Sequence, residues 1–160
     1  MSTSAGRRYD ALLFDLDGTL IDSMPLHQRA WARWLAEQGQ PLEEDARFFA
    51  STAGRSGAEI LAGMFPQADA AEIERLSDER EALYRAEARQ HLQAVAGALE
   101  LLRDARAQGF RLAVCTAAPP ANIALAFERF GLDTLIDTVT SPADRPAGGG
   151  PQARLRGKPH

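Results

Sequence analysis

The chain has 160 residues, of which 45% are hydrophobic and 25% are charged, and its formal net charge at neutral pH is −4. A chain of this length is expected to form one domain, or one domain with an insertion, and to bury a hydrophobic core. The small negative charge argues against binding to nucleic acids or anionic membranes, which would need clustered basic side chains. The single cysteine excludes an internal disulfide and fits a reducing compartment.

The N-terminal residues lack the apolar segment of a signal peptide, and no stretch of the chain is apolar enough for a membrane-spanning helix. We therefore expect a cytoplasmic protein without a nucleic-acid or membrane partner. The sequence does not determine the oligomeric state.

The first predicted element is a β-strand. Ala11–Phe14 is a short apolar run, typical of a buried strand in a parallel sheet, and it ends at Asp15-Leu16-Asp17-Gly18. A block of helices follows, because apolar residues recur at helical spacing and Pro or Gly residues stand where helices begin or end. The predicted helices cover residues 23–38, 60–65 and 73 to about 91.

Helices and strands alternate in the second half of the chain. This alternation predicts an α/β fold with a Rossmann-like, doubly wound parallel sheet, whose active site lies beyond the carboxyl ends of the strands. Gly39, Gly109 and Gly131 each follow a predicted helix, where glycine commonly ends one. The predicted elements are helices at residues 97–108 and 121–130 and strands at residues 110–115 and 135–140.

The helical block is too large for a single crossover between two strands. We therefore expect an inserted helical cap at residues 24–93, with the core of the fold formed by residues 1–23 and 94–140. Residues 141–160 are rich in Pro and Gly and contain few large apolar side chains, which predicts a loop or a tail.

Two carboxylates follow the first predicted strand. Asp15 and Asp17 lie two positions apart on extended chain, so both side chains can leave the same face of it. Gly18 allows a sharp backbone turn, and Thr19 adds a hydroxyl. One carboxylate can act as a nucleophile while its neighbour transfers a proton, and both suit a hard cation such as Mg²⁺. The alternative is a pair that caps a helix or lies in a surface loop.

The stretch from Phe14 to Ser23 resembles the first motif of the haloacid dehalogenase superfamily, in particular of its β-phosphoglucomutase and phosphatase branch. The similarity extends from about Tyr9 to Thr140. It implies a Rossmann-like core with a helical cap, and a Mg²⁺-dependent phosphatase that acts on a small phosphorylated metabolite such as a sugar phosphate.

The resemblance also implies roles for particular side chains. Asp15 would attack phosphorus and become an aspartyl phosphate, and Asp17 would protonate the leaving oxygen and then deprotonate the attacking water. The Asp15 carboxylate and the Asp17 backbone carbonyl would hold Mg²⁺, together with further acids downstream. Thr116 matches the second motif at the end of the second predicted strand, where its hydroxyl would bind phosphoryl oxygens.

Further candidates for substrate binding lie beside these motifs or in the predicted cap. His27 would orient Asp17 or a substrate phosphate, and Arg55 would reach an anionic substrate from the cap; an exposed helix histidine and a solvated loop arginine are the alternatives. Asn122 would contact the phosphate or merely cap its helix. The remaining candidates follow the aspartates and Thr116: Gly18, Thr19 and Ala117.

The third motif of the superfamily is a lysine, commonly within Gly-Lys-Pro, and Lys158 lies in such a sequence. The segment between Thr140 and Lys158 is longer than the corresponding loop of the superfamily, so Lys158 is either the motif lysine on a stretched loop or an unrelated residue of a tail. The fourth motif would follow residue 160. We therefore interpret the chain as a truncated member that lacks the C-terminal part of the core.

Two other functions stay open. A sugar-phosphate mutase of the β-phosphoglucomutase type would need basic side chains to grip a second phosphate, and residues 117–121 carry none, which favours hydrolysis. The other alternative is an inactive, truncated remnant that binds phosphate or a partner chain without turnover.

Overall fold

The structure, a computed structural model, describes residues 9–42, 45–52 and 55–141. These residues form two compact units: residues 9–21 with 94–141, and the described part of residues 22–93. In chain order the elements are β1 (Ala11–Phe14), α1 (Met24–Glu37), α2 (Asp45–Thr52), α3 (Gly57–Met64), α4 (Ala70–His91), α5 (Ala98–Ala107), β2 (Arg111–Cys115), α6 (Pro120–Phe130), a 3₁₀ turn (Leu132–Thr134) and β3 (Thr138–Thr140).

The first unit is built on a parallel sheet of three strands in the order β1-β2-β3. Leu12 lies opposite Leu112, and Phe14 lies opposite Val114, which in turn faces Val139 on its other side. Leu112 and Val114 are buried, and α5 packs against their strand. A parallel sheet whose strands alternate with helices confirms the predicted α/β fold class.

Glycine residues end three of the described helices as predicted: Gly39 follows α1, Gly109 follows α5, and Gly131, with a φ of 62°, ends α6. Gly109 has a φ of 78° and donates to the carbonyl of Arg106 (2.8 Å), while the N–H of Phe110 donates to Ala105 (3.1 Å). This pair of bonds is the Schellman motif, and its positive φ is tolerated best by glycine. Gly39 ends α1 with the same pair of bonds.

The third strand is shorter than predicted. The sequence predicts a strand at residues 135–140, but β3 covers only Thr138–Thr140. The carbonyl of Leu132, in the preceding 3₁₀ turn, accepts hydrogen bonds from the N–H groups of Leu135 (3.0 Å) and Ile136 (2.8 Å). Because these two amides are used in the turn, they do not take part in the ladder with β2.

The second unit consists of α1 to α4 around an aromatic core. The rings of Trp31 and Trp34 meet edge to face with centroids 6.0 Å apart, and Phe48 of α2 packs on Trp31 at 5.6 Å in the same manner. None of the described helices combines the length and the apolar character needed to cross a bilayer. The buried core residues of this unit include Trp31, Trp34, Leu35, Ile60, Leu61 and Leu76.

Three helix starts in the second unit differ from the sequence prediction. The periodicity does not predict α2, and it places the starts of α3 and α4 about one turn too late. Ser56 and Glu59 form a capping box at the start of α3, in which each side chain bonds the backbone N–H of the other. At the start of α4, Asp69 accepts from the N–H of Glu72 (2.8 Å). These first turns bury no large apolar side chain, so a search for apolar periodicity misses them.

Candidate functional site

Three polar residues follow the three strands of the sheet at their carboxyl ends. Asp15 comes directly after β1, Thr116 directly after β2 and Ser141 directly after β3. The N–H of Thr116 donates to the carbonyl of Thr140 (3.0 Å), which continues the pairing of β2 with β3 beyond the strand end. Because adjacent strands lie about 4.8 Å apart, the three residues are neighbours along one end of the sheet.

The segment after β1 folds into a closed turn. Oδ1 of Asp15 accepts a hydrogen bond from the N–H of Leu16 (2.9 Å), whose side chain is fully buried. The carbonyl of Leu16 accepts from the N–H groups of Leu20 (2.9 Å) and Ile21 (3.1 Å), and Gly18, with a φ of 72°, donates to the carbonyl of Ile21 (2.9 Å). These bonds fix the path of the backbone that carries the predicted carboxylates.

Asp15 and Asp17 flank the buried Leu16, and both remain partly exposed. This alternation is that of extended chain, whose successive side chains point to opposite sides. Gly18 and Thr19 are exposed at the tip of the turn. Hydrogen bonds therefore fix the backbone that carries the two carboxylates, while the carboxylates themselves remain partly accessible to solvent.

Thr116 is buried, with 5% of its surface exposed, and its hydroxyl oxygen accepts a hydrogen bond from the N–H of Ala118 (3.0 Å). A hydroxyl has one proton to donate besides its acceptor sites. The bond with Ala118 uses the oxygen as an acceptor, so it orients the side chain without using the hydroxyl proton.

The start of α6 follows Thr116 closely along the chain. Ala117 is exposed, whereas Asn122 is 4% exposed in the first turn of α6, where its N–H donates to the carbonyl of Pro119 (3.0 Å). The positive end of a helix dipole lies at the first turn and favours anions. The segment after β2 is thus suited to a negatively charged ligand.

Ser141 is a site candidate that the sequence reasoning missed. It is buried, with 6% of its surface exposed, and the register of β2 with β3 places it level with Thr116. The signal for it was available, since the predicted third strand ends at Thr140 and the residue after a parallel strand lies at the same end of the sheet.

Two candidates of the second unit make defined contacts. Arg55 is exposed, and its Nη2 donates to the carbonyl of Glu59 (2.7 Å) in α3. Nδ1 of His27 lies 3.1 Å from Nη1 of Arg80, and the ring of His27 stacks on Tyr84. Arg80 was not predicted as a functional residue, although it falls on the apolar face of α4.

The described residues contain no cluster of three or more His, Cys, Asp or Glu side chains that could together hold a metal ion. Asp15 and Asp17 are the predicted carboxylate ligands, and Mg²⁺ is often bound by only one or two carboxylates, with water and phosphate oxygens completing its shell. The hard oxygen donors of this turn therefore fit Mg²⁺. Lys158 and the other predicted tail residues from 142 onward lie outside the described residues.

A third aspartate lies at the opposite end of the sheet. Oδ2 of Asp137 accepts from the N–H of Leu112 (2.8 Å), and Oδ1 accepts from Nη1 of Arg106 (2.9 Å). The bond from Leu112, followed by that from Arg106, lowers the pKa of the Asp137 carboxyl. This carboxylate joins α5, β2 and the start of β3, which is a structural role.

The chain is similar in sequence to two phosphatases. Hexitol phosphatase A of Escherichia coli (strain K12) is 34% identical over 110 residues, which are 68% of this chain and 49% of that protein. Phosphoglycolate phosphatase of Cereibacter sphaeroides is 30% identical over 131 residues, which are 80% of this chain and 60% of that protein.

A crystal structure of CbbY from Rhodobacter sphaeroides in complex with phosphate matches with a TM-score of 0.67 and 26% sequence identity, over 82% of this chain and 63% of that chain. The chain spans about half the length of hexitol phosphatase A and less than two thirds of the other two proteins.

The sequence model of the haloacid dehalogenase-like hydrolases matches residues 9–160. This match covers nearly the whole chain and agrees with the parallel α/β fold, so the resemblance inferred from the first motif is confirmed. The chain belongs to the haloacid dehalogenase-like hydrolases.

Proposed function

We propose that this protein is a Mg²⁺-dependent phosphomonoesterase that works through an aspartyl phosphate on Asp15. The observation that carries the proposal is the position of Asp15 and Thr116, which directly follow two paired parallel strands. Continuing the register of β1 with β2 puts Asp15 level with Cys115 and Thr116 one residue further on, so the candidate nucleophile and the candidate oxygen-binding hydroxyl belong to the same end of the sheet. The names of the relatives support a small phosphorylated metabolite as the substrate, since one is a hexitol phosphatase and another a phosphoglycolate phosphatase.

In the first step, a carboxylate oxygen of Asp15 forms a bond to phosphorus as the bond from phosphorus to the ester oxygen breaks. The N–H of Leu16 holds Oδ1 and so limits rotation of the carboxylate. Asp17, acting as a general acid, gives its proton to the leaving oxygen, so the alcohol departs neutral. The hydroxyl of Thr116 donates to a phosphoryl oxygen and stabilises the charge that develops there.

In the second step, Asp17 takes a proton from a water molecule, and the water oxygen attacks phosphorus. The bond between phosphorus and the Asp15 oxygen breaks, which releases inorganic phosphate and restores the carboxylate. Asp17 thus acts first as an acid and then as a base, and it has regained its proton at the end of the cycle.

Mg²⁺ would be held by the Asp15 carboxylate and the backbone carbonyl of Asp17. When bound, it would neutralise charge on the phosphoryl oxygens and so allow an anionic nucleophile to approach them. The exposed turn of Gly18 and Thr19 and the segment of Ala117 would carry further contacts to the substrate, and Asn122 would support them from the start of α6.

The second unit is proposed as the helical cap, and the candidates His27 and Arg55 belong to it. Arg55 already donates to the α3 backbone, so it would have to give up that bond to contact a substrate. Lys158 is proposed as the lysine that neutralises the nucleophile and the phosphate. A sugar-phosphate mutase is not favoured, because no cation lies in residues 117–121.

The decisive experiment measures phosphate release from a generic phosphomonoester by the 160-residue chain. Release should require Mg²⁺, stop on addition of EDTA and fall to the blank in Asp15→Asn. Asp104→Asn, which changes an exposed aspartate of α5, is the matched control and should retain activity. Mass spectrometry of the acid-quenched protein should show one phosphoryl group that hydroxylamine removes.

Absence of release from folded protein would contradict the proposal and leave the inactive remnant as the better description. Release that persists in Asp15→Asn would refute the aspartyl-phosphate route alone. If an added sugar bisphosphate promotes isomerisation of a sugar monophosphate instead of hydrolysis, the mutase alternative is correct.

A further inference from the structure

Thr116 and Ser141 are cross-strand partners just beyond the ends of β2 and β3. The last paired residues within these strands are Cys115 and Thr140. Because the bonds of a parallel ladder slant, an N–H group reaches the carbonyl of the residue before its cross-strand partner. The N–H of Thr116 donates to the carbonyl of Thr140 (3.0 Å), so the partner of Thr116 is Ser141. The pairing of the two strands therefore extends to these two hydroxyl residues.

The side chains of this pair lie on the same face of the sheet. Side chains alternate between the two faces along a strand, so Thr116 shares a face with Val114, and Ser141 shares a face with Val139. Val114 and Val139 are themselves partners in the register. The burial agrees with this alternation, since Thr140 is exposed and Ser141 is buried. Adjacent strands lie about 4.8 Å apart, so the two side chains are close neighbours.

Little space is left around the pair. Thr116 and Ser141 are both buried, and serine is the smaller of the two residues. Oγ1 of Thr116 accepts from the N–H of Ala118 (3.0 Å), and this bond also fixes the methyl group of Thr116 because both groups are attached to the same Cβ. A methyl group added at residue 141 would lie level with Thr116. Packed interiors take up an added methyl group by displacing neighbouring side chains from their rotamers.

We infer that Ser141 is a positioning residue for Thr116: its small side chain leaves room for the Thr116 rotamer that bonds to Ala118. Ser141 acts through its size and need not contact a substrate itself. The effect on the bond between Thr116 and Ala118 is a property of the fold alone. The effect on activity rests on the proposed function, in which the Thr116 hydroxyl donates to a phosphoryl oxygen.

Amide hydrogen exchange of the full chain, followed by NMR, tests the positioning role without any measurement of activity. Ser141→Thr keeps a hydroxyl and adds one methyl group, so the amide of Ala118 should exchange about tenfold faster than in the parent chain. Ser141→Ala removes the hydroxyl without adding bulk and should leave this exchange rate unchanged. Thr138→Ile enlarges an exposed side chain of the same strand and is the matched control.

The same variants test the role in activity. The kcat/KM of Ser141→Thr for a phosphomonoester should fall about tenfold, whereas Ser141→Ala and Thr138→Ile should stay within about twofold of the parent chain. Adding Ser141→Thr to Thr116→Val should cause no further loss, because the hydroxyl that Ser141 positions is already absent. A residue that only supports the fold would lower kcat/KM by the same factor in both backgrounds.

The outcomes separate this inference from the proposed function. Parental exchange of the Ala118 amide in Ser141→Thr overturns the positioning role, and so does equal acceleration in Ser141→Ala, which would make the hydroxyl the important group. A loss of kcat/KM that persists in Thr116→Val overturns the action through Thr116. If the parent chain shows no phosphatase activity, the proposed function fails, while hydrogen exchange still decides the positioning role. Ser141→Cys, a smaller enlargement, replaces Ser141→Thr in both measurements if the threonine variant does not fold.

Discussion

The candidate site residues of the first unit and the buried arginine of the second unit are held in opposite ways. In the first unit, Asp15 bonds to the N–H of the next residue, and Thr116 bonds to the N–H of Ala118. In the second unit, Arg80 is held by side chains, including that of His27, which is 53 positions away in the sequence. The first arrangement follows from the local path of the chain, and the second exists only once the helices have packed.

This difference predicts which substitutions change the stability of the fold and which change its activity. A side chain that bonds a nearby backbone amide can be replaced by an uncharged one without leaving a buried charge uncompensated. A buried ion pair depends on both partners, because the loss of either leaves the other charge without compensation in a poorly solvated place. We therefore expect substitutions in the second unit to act mainly on stability and those at the strand ends mainly on activity.

The largest effect on stability is expected for Glu81→Leu. Glu81 is buried and forms an ion pair with the buried Arg80. Removing this carboxylate leaves the Arg80 cation uncompensated, which should lower the free energy of unfolding by about 3–5 kcal/mol. Glu79→Leu is the matched control on the same helix, since Glu79 pairs with Arg75 at the surface. The control should cost no more than about 1 kcal/mol, as is usual for an exposed pair. Equal losses in urea unfolding of the two variants would contradict the contrast between the units.

A smaller effect, mainly on activity, is expected for Thr116→Val. The variant keeps the shape of the side chain but loses the donor to phosphoryl oxygen, so kcat/KM for a phosphomonoester should fall about 100-fold. Thr116→Ser keeps the hydroxyl and should retain most of the activity. The buried N–H of Ala118 loses its acceptor in the valine variant, which should also cost about 1–3 kcal/mol of stability. A valine variant with full activity would remove Thr116 from the proposed site.

The same contrast explains which parts of the molecule the sequence predicts. The parallel strands and the turn after β1 are local patterns, so Asp15 and Thr116 are recognisable as residues at strand ends. Arg80 is visible on the apolar face of α4, but no local pattern indicates that His27 is its partner. The predicted start of β3 was wrong because the N–H groups of Leu135 and Ile136 donate to the carbonyl of Leu132 in the preceding turn, although apolar periodicity assigns both residues to a strand.

Helix α2 of the second unit is another element that local sequence patterns do not predict. Its large apolar residues are Phe48 and Phe49, and the contact of Phe48 with Trp31 joins separate helices. Eight residues provide too few positions for a helical period to stand out. Long-range packing, rather than local propensity, therefore decides where this helix forms.

The smallest effect is expected for the aspartate at the other end of the sheet. Asp137 has a lowered pKa in the folded chain, so its contribution to stability is present above the pKa of an unfolded aspartate, about 3.9, and is lost as the pH falls through its folded value. Asp137→Asn should therefore be less stable than the parent at neutral pH, and the difference should shrink as the pH is lowered through the acid range. Urea unfolding at a series of pH values measures it.

Arg106→Gln serves as the internal control for this experiment. It removes the ion pair but keeps the bond from Leu112, which contributes most to the lowered pKa of Asp137. The pH-dependent loss should therefore be smaller for Arg106→Gln than for Asp137→Asn, while phosphatase activity should persist in both because neither lies at the strand ends that carry Asp15 and Thr116. A loss that is independent of pH would mean that Asp137 acts through packing alone. In that case the negative charge of Asp137 would not contribute to the stability of the first unit, and the bonds from Leu112 and Arg106 would act only by holding the side chain in place.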